Sequence, residues 1–120
     1  MIISESMTTR NNLTTMLHNL GFDDVQSIAQ LSSYNIKQAL HHPPSVIIVD
    51  GQTHLKNTMA PILTAFQHLT PQRIPVILLL TSRELKQEYL NALHPFISSV
   101  IFKPVSPRLL YHQLQRFLCK

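Results

Sequence analysis

Two short runs of apolar residues limit the possible folds of this chain more than any other feature. Val46-Ile47-Ile48-Val49 leads directly into Asp50, and Pro75 to Leu80 leads into Thr81. Runs of this length, rich in β-branched and aliphatic residues, are typical of central strands that are covered on both faces. The sequence therefore predicts an α/β domain with a parallel sheet, in which strands 45–50 and 75–81 are central.

Segments with helical spacing alternate with these strands. A short apolar start, 1–4, precedes Leu13, Met16, Leu17 and Leu20, and Gly21 follows where a helix C-terminus favours glycine. A weak second strand is expected over 25–29. Ser32 or Ser33 can then cap a helix that stops before Pro43-Pro44.

The second half of the chain repeats this alternation. A third helix is predicted to start near Ala60-Pro61, and a fourth carries the apolar stripe of 85–93. A fifth strand, 99–104, leads to Ser106-Pro107, a good start for a last helix with Leu110, Leu114 and Phe117 inside. Five strands and five helices joined by right-handed crossovers predict a three-layer, doubly wound sheet.

Length and composition fit one domain over residues 1–120. The hydrophobic fraction of 44% with 13% charged residues argues against disorder, and the longest apolar run, 74–80, is too short to cross a bilayer. The N-terminal residues do not resemble a signal peptide, and a lone Cys119 fits a cytoplasmic setting. The net charge of +4 comes from scattered residues, so neither nucleic acid nor a membrane is an expected direct partner.

Polar residues are expected to meet at one edge of this sheet, because parallel strands all deliver their carboxyl ends to the same side. The residues that follow the predicted strands there are Ser4, Glu5, Asp50, Thr81, Ser82, Lys103 and Pro104. A carboxylate can attack a phosphoryl group, an acid can ligate Mg²⁺, and a hydroxyl and an ammonium can stabilise phosphoryl oxygens. The set suits the formation of an acyl phosphate.

In order and spacing these residues resemble the receiver domains of response regulators and hybrid sensor kinases, and the resemblance covers essentially the whole chain. It rests on Asp50 after 46–49, Thr81 after the leucine-rich strand, Lys103-Pro104 after Val100-Ile101-Phe102, and Leu20-Gly21-Phe22 at the end of the first helix. The resemblance implies a flavodoxin-like sheet of order 2-1-3-4-5.

The same resemblance implies roles for the residues at the edge. Asp50 would be the phospho-acceptor, Thr81 the switch hydroxyl and Lys103 the phosphate-pairing lysine, with a cis Lys103-Pro104 peptide. Glu5, Asp50 and the backbone carbonyl of Gln52 would hold Mg²⁺. The implied partners are a histidine kinase core or a phosphotransfer domain, together with neighbouring domains of a larger parent protein.

Three departures from the family pattern bear on that chemistry. Ser4 stands where receivers usually carry the first of two adjacent acids, so Mg²⁺ affinity should fall. His54 stands at a position that is usually proline. Val100 replaces the aromatic residue whose ring movement usually accompanies the switch hydroxyl.

Each residue also has a simpler interpretation. Asp50 could be an ordinary turn acid, Glu5 an exposed acid near the start of a helix, and Lys103 a surface lysine. The histidines lack the spacing of a zinc site, and two glycines are too few for a nucleotide loop or a serine nucleophile elbow.

The sequence leaves three functions open. The first is a phosphorelay receiver that accepts a phosphoryl group on Asp50. The second is a pseudo-receiver, a regulatory interaction module of a hybrid sensor histidine kinase that acts without phosphorylation, in which case the parent could be an inner-membrane sensor. The third and least favoured is a stand-alone enzyme or nucleic-acid binder. In the two favoured functions, the domain alone is not expected to be an enzyme.

Overall fold

Five parallel strands form one sheet in the order β2-β1-β3-β4-β5. The structure is a computed structural model that describes residues 1–29, 32–42, 44–50, 76–81 and 98–118. The elements within these ranges are β1 (Ile2–Ile3), α1 (Met7–Asn19), β2 (Ser27–Ile28), α2 (Ser33–His41), β3 (Val46–Asp50), β4 (Val76–Thr81), β5 (Ser99–Phe102) and α3 (Pro107–Leu118). The predicted fold class and strand order are confirmed.

Helix α1 has a defined start and a defined end. The Ser6 hydroxyl accepts a hydrogen bond from the Thr9 amide at 3.2 Å, which satisfies one of the amides that a helix start leaves unpaired. At the other end, the amide of Gly21 donates to His18 and that of Phe22 donates to Leu17, the paired bonds of a Schellman motif. Gly21 has a φ of 100°, a conformation that residues with a side chain rarely adopt.

Local signals likewise fix the starts of the other two helices. The Ser32 hydroxyl and the Asn35 side chain bond reciprocally to each other's backbone amides, forming a capping box at the start of α2. At α3, the Ser106 hydroxyl accepts from the amide of Leu109 at 3.1 Å, and Pro107 takes the first helical position. Of the two serines proposed as caps for α2, Ser32 is therefore the capping residue.

The hydrophobic core lies on both faces of the sheet. On one face, α1 and α3 pack over alternate strand residues in a buried cluster of Ile2, Leu13, Leu17, Ile48, Leu78, Leu80, Ile101, Leu110 and Leu114. The alternate residues of β3 and β4, Ile47, Val49, Ile77 and Leu79, are at most 1% exposed on the other face. Burial on both faces explains why these two strands are almost continuously apolar.

Three of the strands are shorter than predicted. β1 covers two residues instead of four, β2 covers two instead of five, and β5 ends at Phe102, so that Lys103 and Pro104 lie in the following bend. The predicted third and fourth helices, like His54 and Cys119, lie outside the described residues. Within the described ranges, no helix has the length and apolar character needed to span a membrane.

Two neighbouring leucines on α3 allow a controlled test of this core. Leu110 is 0% exposed and Leu109 is 38% exposed. Leu110→Ala should lower the free energy of unfolding by about 2 to 5 kcal/mol, because it leaves a cavity against the sheet. Leu109→Ala makes the same chemical change on the surface and should cost well under half as much. Urea denaturation followed by circular dichroism measures both, and equal losses would contradict the described packing.

Candidate functional site

The register of β1 against β3 brings Ser4 beside Asp50. Ile2 pairs with Ile48 and Ile3 with Val49, so the next residue of each strand falls at the same level of the sheet. Side chains at matched positions of neighbouring parallel strands point to the same face, about 5 Å apart. Ser4 and Asp50 therefore meet at the carboxyl edge of the sheet, as the sequence predicts for strand ends.

Both oxygens of the Asp50 carboxylate have a hydrogen-bond donor. The Ser4 hydroxyl donates to Oδ2 at 2.8 Å, and the Lys103 ammonium donates to Oδ1 at 2.9 Å. The side chain of Asp50 is 6% exposed and that of Lys103 is 19% exposed. A carboxylate this deeply buried needs such partners, because an unpaired buried charge is strongly destabilising.

Ser4 is itself held from two sides. It is 2% exposed, and its Oγ accepts a hydrogen bond from the Ser6 amide at 3.1 Å. The Arg10 guanidinium on α1 donates to the Ser4 carbonyl oxygen at 2.6 Å. Since the Ser6 amide occupies a lone pair of Oγ, the single hydroxyl hydrogen is directed to Asp50.

Thr81 and Lys103 complete this edge. Thr81, the last residue of β4, is 3% exposed, and its carbonyl oxygen accepts a hydrogen bond from the Lys103 amide at 2.8 Å. The Lys103-Pro104 peptide is cis, as the resemblance implied. Lys103 follows β5, two strands from Asp50, and a lysine side chain is long enough to cover most of that separation of about 10 Å. The structure thus brings Asp50, Thr81 and Lys103 to one edge.

The predicted magnesium ligands fit less well. Glu5 is exposed, Gln52 lies outside the described residues, and Asp50 is already bonded to Ser4 and Lys103. Among the residues that the structure describes, no group of three acids, histidines or cysteines is placed to hold a metal ion. A hard divalent cation prefers several oxygen ligands with negative charge, whereas the described part of the site supplies one paired carboxylate. The described geometry therefore does not match a Mg²⁺ site.

A cavity within the described residues lies elsewhere. A cavity of about 570 Å³ borders the opposite end of the sheet and touches Met1, Phe22, Asp24, His42 and Leu114 among others. Burial lowers the pKa of the Met1 amino group there to about 6, while Asp24 acts in the opposite direction. Since Asp50, Thr81 and Lys103 do not line this cavity, its size carries no information about their chemistry.

Solved structures show what this arrangement is similar to. The chain superposes on the chemotaxis protein CheY4 of Vibrio cholerae with a TM-score of 0.78 and 21% identity, covering 98% of this chain and 95% of that one. A response regulator receiver domain from Clostridium thermocellum gives a TM-score of 0.76 at 18% identity, covering 98% and 91%. The chain has the receiver fold.

The receiver fold also occurs in a protein whose name does not refer to signalling. A putative pilus assembly protein (cpaE) from Burkholderia thailandensis matches with a TM-score of 0.72 and 18% identity, covering 99% of this chain and 96% of that one. No protein-family model matches the sequence, and no curated protein matches it. At these identities the structural similarity establishes the fold, and function has to be argued from the site.

Sequence reasoning missed two contacts at this edge. The sequence pattern predicts that Ser4 lies at this edge and lacks the usual acid, but it does not predict that the Ser4 hydroxyl bonds directly to Asp50. Pairing the first strand with the third in parallel register would have revealed this contact. Arg10 was not singled out, and its contact with Ser4 depends on how the first turn of α1 packs against β1. The predicted loss of ring switching at Val100, which is half-buried, remains a prediction.

A double-mutant cycle tests the Asp50–Lys103 pair. Lys103→Met should lower the free energy of unfolding at neutral pH by about 1 to 3 kcal/mol, because it leaves a buried carboxylate without its cation. Asp50→Asn in the Lys103→Met background should recover much of that loss, since no unpaired charge remains. Arg108→Met, which removes an exposed cation at the start of α3, serves as the control. If the effects of the two substitutions on the free energy of unfolding simply add, Asp50 and Lys103 have no measurable interaction energy.

Proposed function

We propose that this chain is a receiver domain of two-component phosphorelay signalling, in which Asp50 accepts a phosphoryl group from a histidine kinase or a phosphotransfer protein. The observation that carries the proposal is the contact of 2.9 Å between the Asp50 carboxylate and the Lys103 ammonium, with Thr81 at the end of the strand between them. A carboxylate, an ammonium and a hydroxyl at adjacent strand ends form a suitable acceptor set for a phosphoryl group.

The transfer follows from the roles of these side chains. A carboxylate oxygen of Asp50 attacks phosphorus, and the new O–P bond forms as the P–N bond to the donor histidine breaks. The imidazole leaves with the electron pair of that bond and takes up a proton. In this proposal Lys103 neutralises the added phosphoryl oxygens, and the Thr81 hydroxyl donates to one of them. The domain needs no catalytic base, because the acceptor is already a carboxylate.

Solved structures with the same fold support this proposal. One is a chemotaxis protein and another is a response regulator receiver domain, and both share nearly the whole length of this chain. The putative pilus assembly protein has the same fold but is not named as a response regulator. The acid, the hydroxyl and the lysine at the strand ends therefore carry more weight for the proposal than the fold does.

Phosphoryl acceptance has a direct readout. Incubation with acetyl phosphate or phosphoramidate and Mg²⁺ should add about 80 Da to the protein in intact mass spectrometry. Asp50→Asn should abolish the added mass, because the amide is a far weaker nucleophile. Asp23→Asn changes an exposed acid away from the carboxyl ends of the strands and should leave the added mass intact. An unmodified wild-type protein with every donor would overturn phosphoryl acceptance.

A specific observation favours a second candidate, a pseudo-receiver that docks on a partner without phosphorylation. The Ser4 hydroxyl already occupies Oδ2 of Asp50, so this edge has a fixed arrangement before any phosphoryl group arrives. A docking surface is also available on the last strand and helix, where Phe102, Leu109 and Tyr111 are 51%, 38% and 44% exposed. Helix α3 contains two arginines and no acid, which suits a partner with an acidic surface.

The two candidates differ in which substitutions stop signalling by the protein that carries this domain. If the domain is a pseudo-receiver, Asp50→Ala leaves signalling intact, whereas Phe102→Ser with Tyr111→Ala abolishes it, because the exposed apolar contacts are lost. Both variants should remain folded by circular dichroism. The exposed substitution Tyr34→Ala on α2 controls for the loss of surface aromatics in general. Loss of signalling in Asp50→Ala alone would exclude the pseudo-receiver.

A further inference from the structure

Ser4 occupies a position from which it can decide whether the Asp50 edge accepts a divalent cation. Receivers usually carry an acid at this position, and here a neutral hydroxyl lies 2.8 Å from Oδ2 of Asp50. The opposite oxygen, Oδ1, lies 2.9 Å from the Lys103 ammonium. Each carboxylate oxygen thus already has one hydrogen-bond donor, and neither Ser4 nor Lys103 supplies the additional negative charge that a hard divalent cation prefers.

We infer that Ser4 excludes divalent cations from the Asp50 site and holds the carboxylate against Lys103 by a hydrogen bond in place of a metal ion. Because Asp50 is taken as the acceptor position, the inference rests on the proposed function. It goes further by naming one residue that keeps divalent cations away from this receiver-like edge.

The geometry of Ser4 makes the hydrogen bond hard to replace. The Ser4 oxygen accepts from the Ser6 amide at 3.1 Å, and the Arg10 guanidinium holds the Ser4 carbonyl at 2.6 Å. Rotating the hydroxyl toward a metal ion would break the bond to Asp50 and disturb the amide that precedes α1. Because Ser4 is 2% exposed, bulk solvent has little access to compensate for those losses.

The local charge points the same way. Asp50 is neutralised by Lys103, Arg10 adds a further positive charge beside Ser4, and Glu5 is exposed. A divalent cation placed at Oδ2 would therefore contact a carboxylate that is already paired with Lys103. It would also lie near the positive charge of Arg10, which repels it. Replacing Ser4 by aspartate would add the missing negative charge at the same buried position, which is what a hard cation requires.

Metal titration of matched variants tests the inference. Amide NMR shifts around Asp50, Thr81 and Lys103 are followed while Mg²⁺ is added to the wild type, Ser4→Asp and Ser4→Asn. The wild type should show no saturable shift up to about 10 mM Mg²⁺, and Ser4→Asp should bind at least about tenfold more tightly. Ser4→Asn introduces a neutral side chain of the same size as aspartate and should not increase the affinity for Mg²⁺. Thr15→Asp adds the same charge on the exposed face of α1 and should also gain nothing.

Two outcomes overturn the inference. One is saturable Mg²⁺ binding at Asp50 in the wild type, and the other is a folded Ser4→Asp that binds no more tightly than the wild type. If Ser4→Asp does not fold, Mn²⁺ line broadening in the wild type decides alone. Broadening centred on Asp50 below about 1 mM Mn²⁺ overturns the inference, and its absence there supports it.

The outcome is separable from that of the proposed function. A protein that gains mass at Asp50 without binding Mg²⁺ supports both. A protein that gains no mass and binds no Mg²⁺ loses phosphoryl acceptance but keeps the role of Ser4. Binding of Mg²⁺ by the wild type removes the role of Ser4, whatever the mass measurement gives.

Discussion

The parallel register of β1, β3 and β4 is the constraint on which the rest of this structure depends. Ile2 pairs with Ile48 and Ile48 with Leu78, so the same alignment that buries these side chains under α1 and α3 also sets the strand ends. A slip of one residue would turn the apolar side chains of a strand to the other face and carry Ser4 away from Asp50. Core packing and site geometry are therefore fixed by one alignment.

At the carboxyl edge, the dominant physical problem is a carboxylate that is nearly removed from water. Asp50 is stabilised there by an ammonium on one oxygen and a hydroxyl on the other. The ammonium is the partner that an added phosphoryl group would also need, whereas the hydroxyl satisfies the carboxylate without one. The proposed phosphoryl acceptor and the pseudo-receiver both depend on this pair of contacts, and they differ in whether the hydroxyl yields to an incoming group.

The fold leaves that choice open. The same architecture occurs in a chemotaxis protein, a response regulator receiver domain and a putative pilus assembly protein, all at 21% identity or less. Function on a shared scaffold resides in particular sites and not in the fold itself. The sites proposed for this chain are Asp50, Thr81 and Lys103 at the strand ends, and the exposed residues Phe102, Leu109 and Tyr111.

The sequence by itself determined the fold class and the meeting of Asp50, Thr81 and Lys103, because strand burial and helix caps leave local patterns in the chain. It gave the strand order through a family resemblance. It overestimated β1, β2 and β5, since the point at which a strand ends depends on its pairing with neighbouring strands and not on its own residues alone. Only the tertiary structure decided that Ser4 bonds to Asp50 and Arg10 to Ser4. Those contacts join residues whose partners are set by strand register and helix packing, which no single segment encodes.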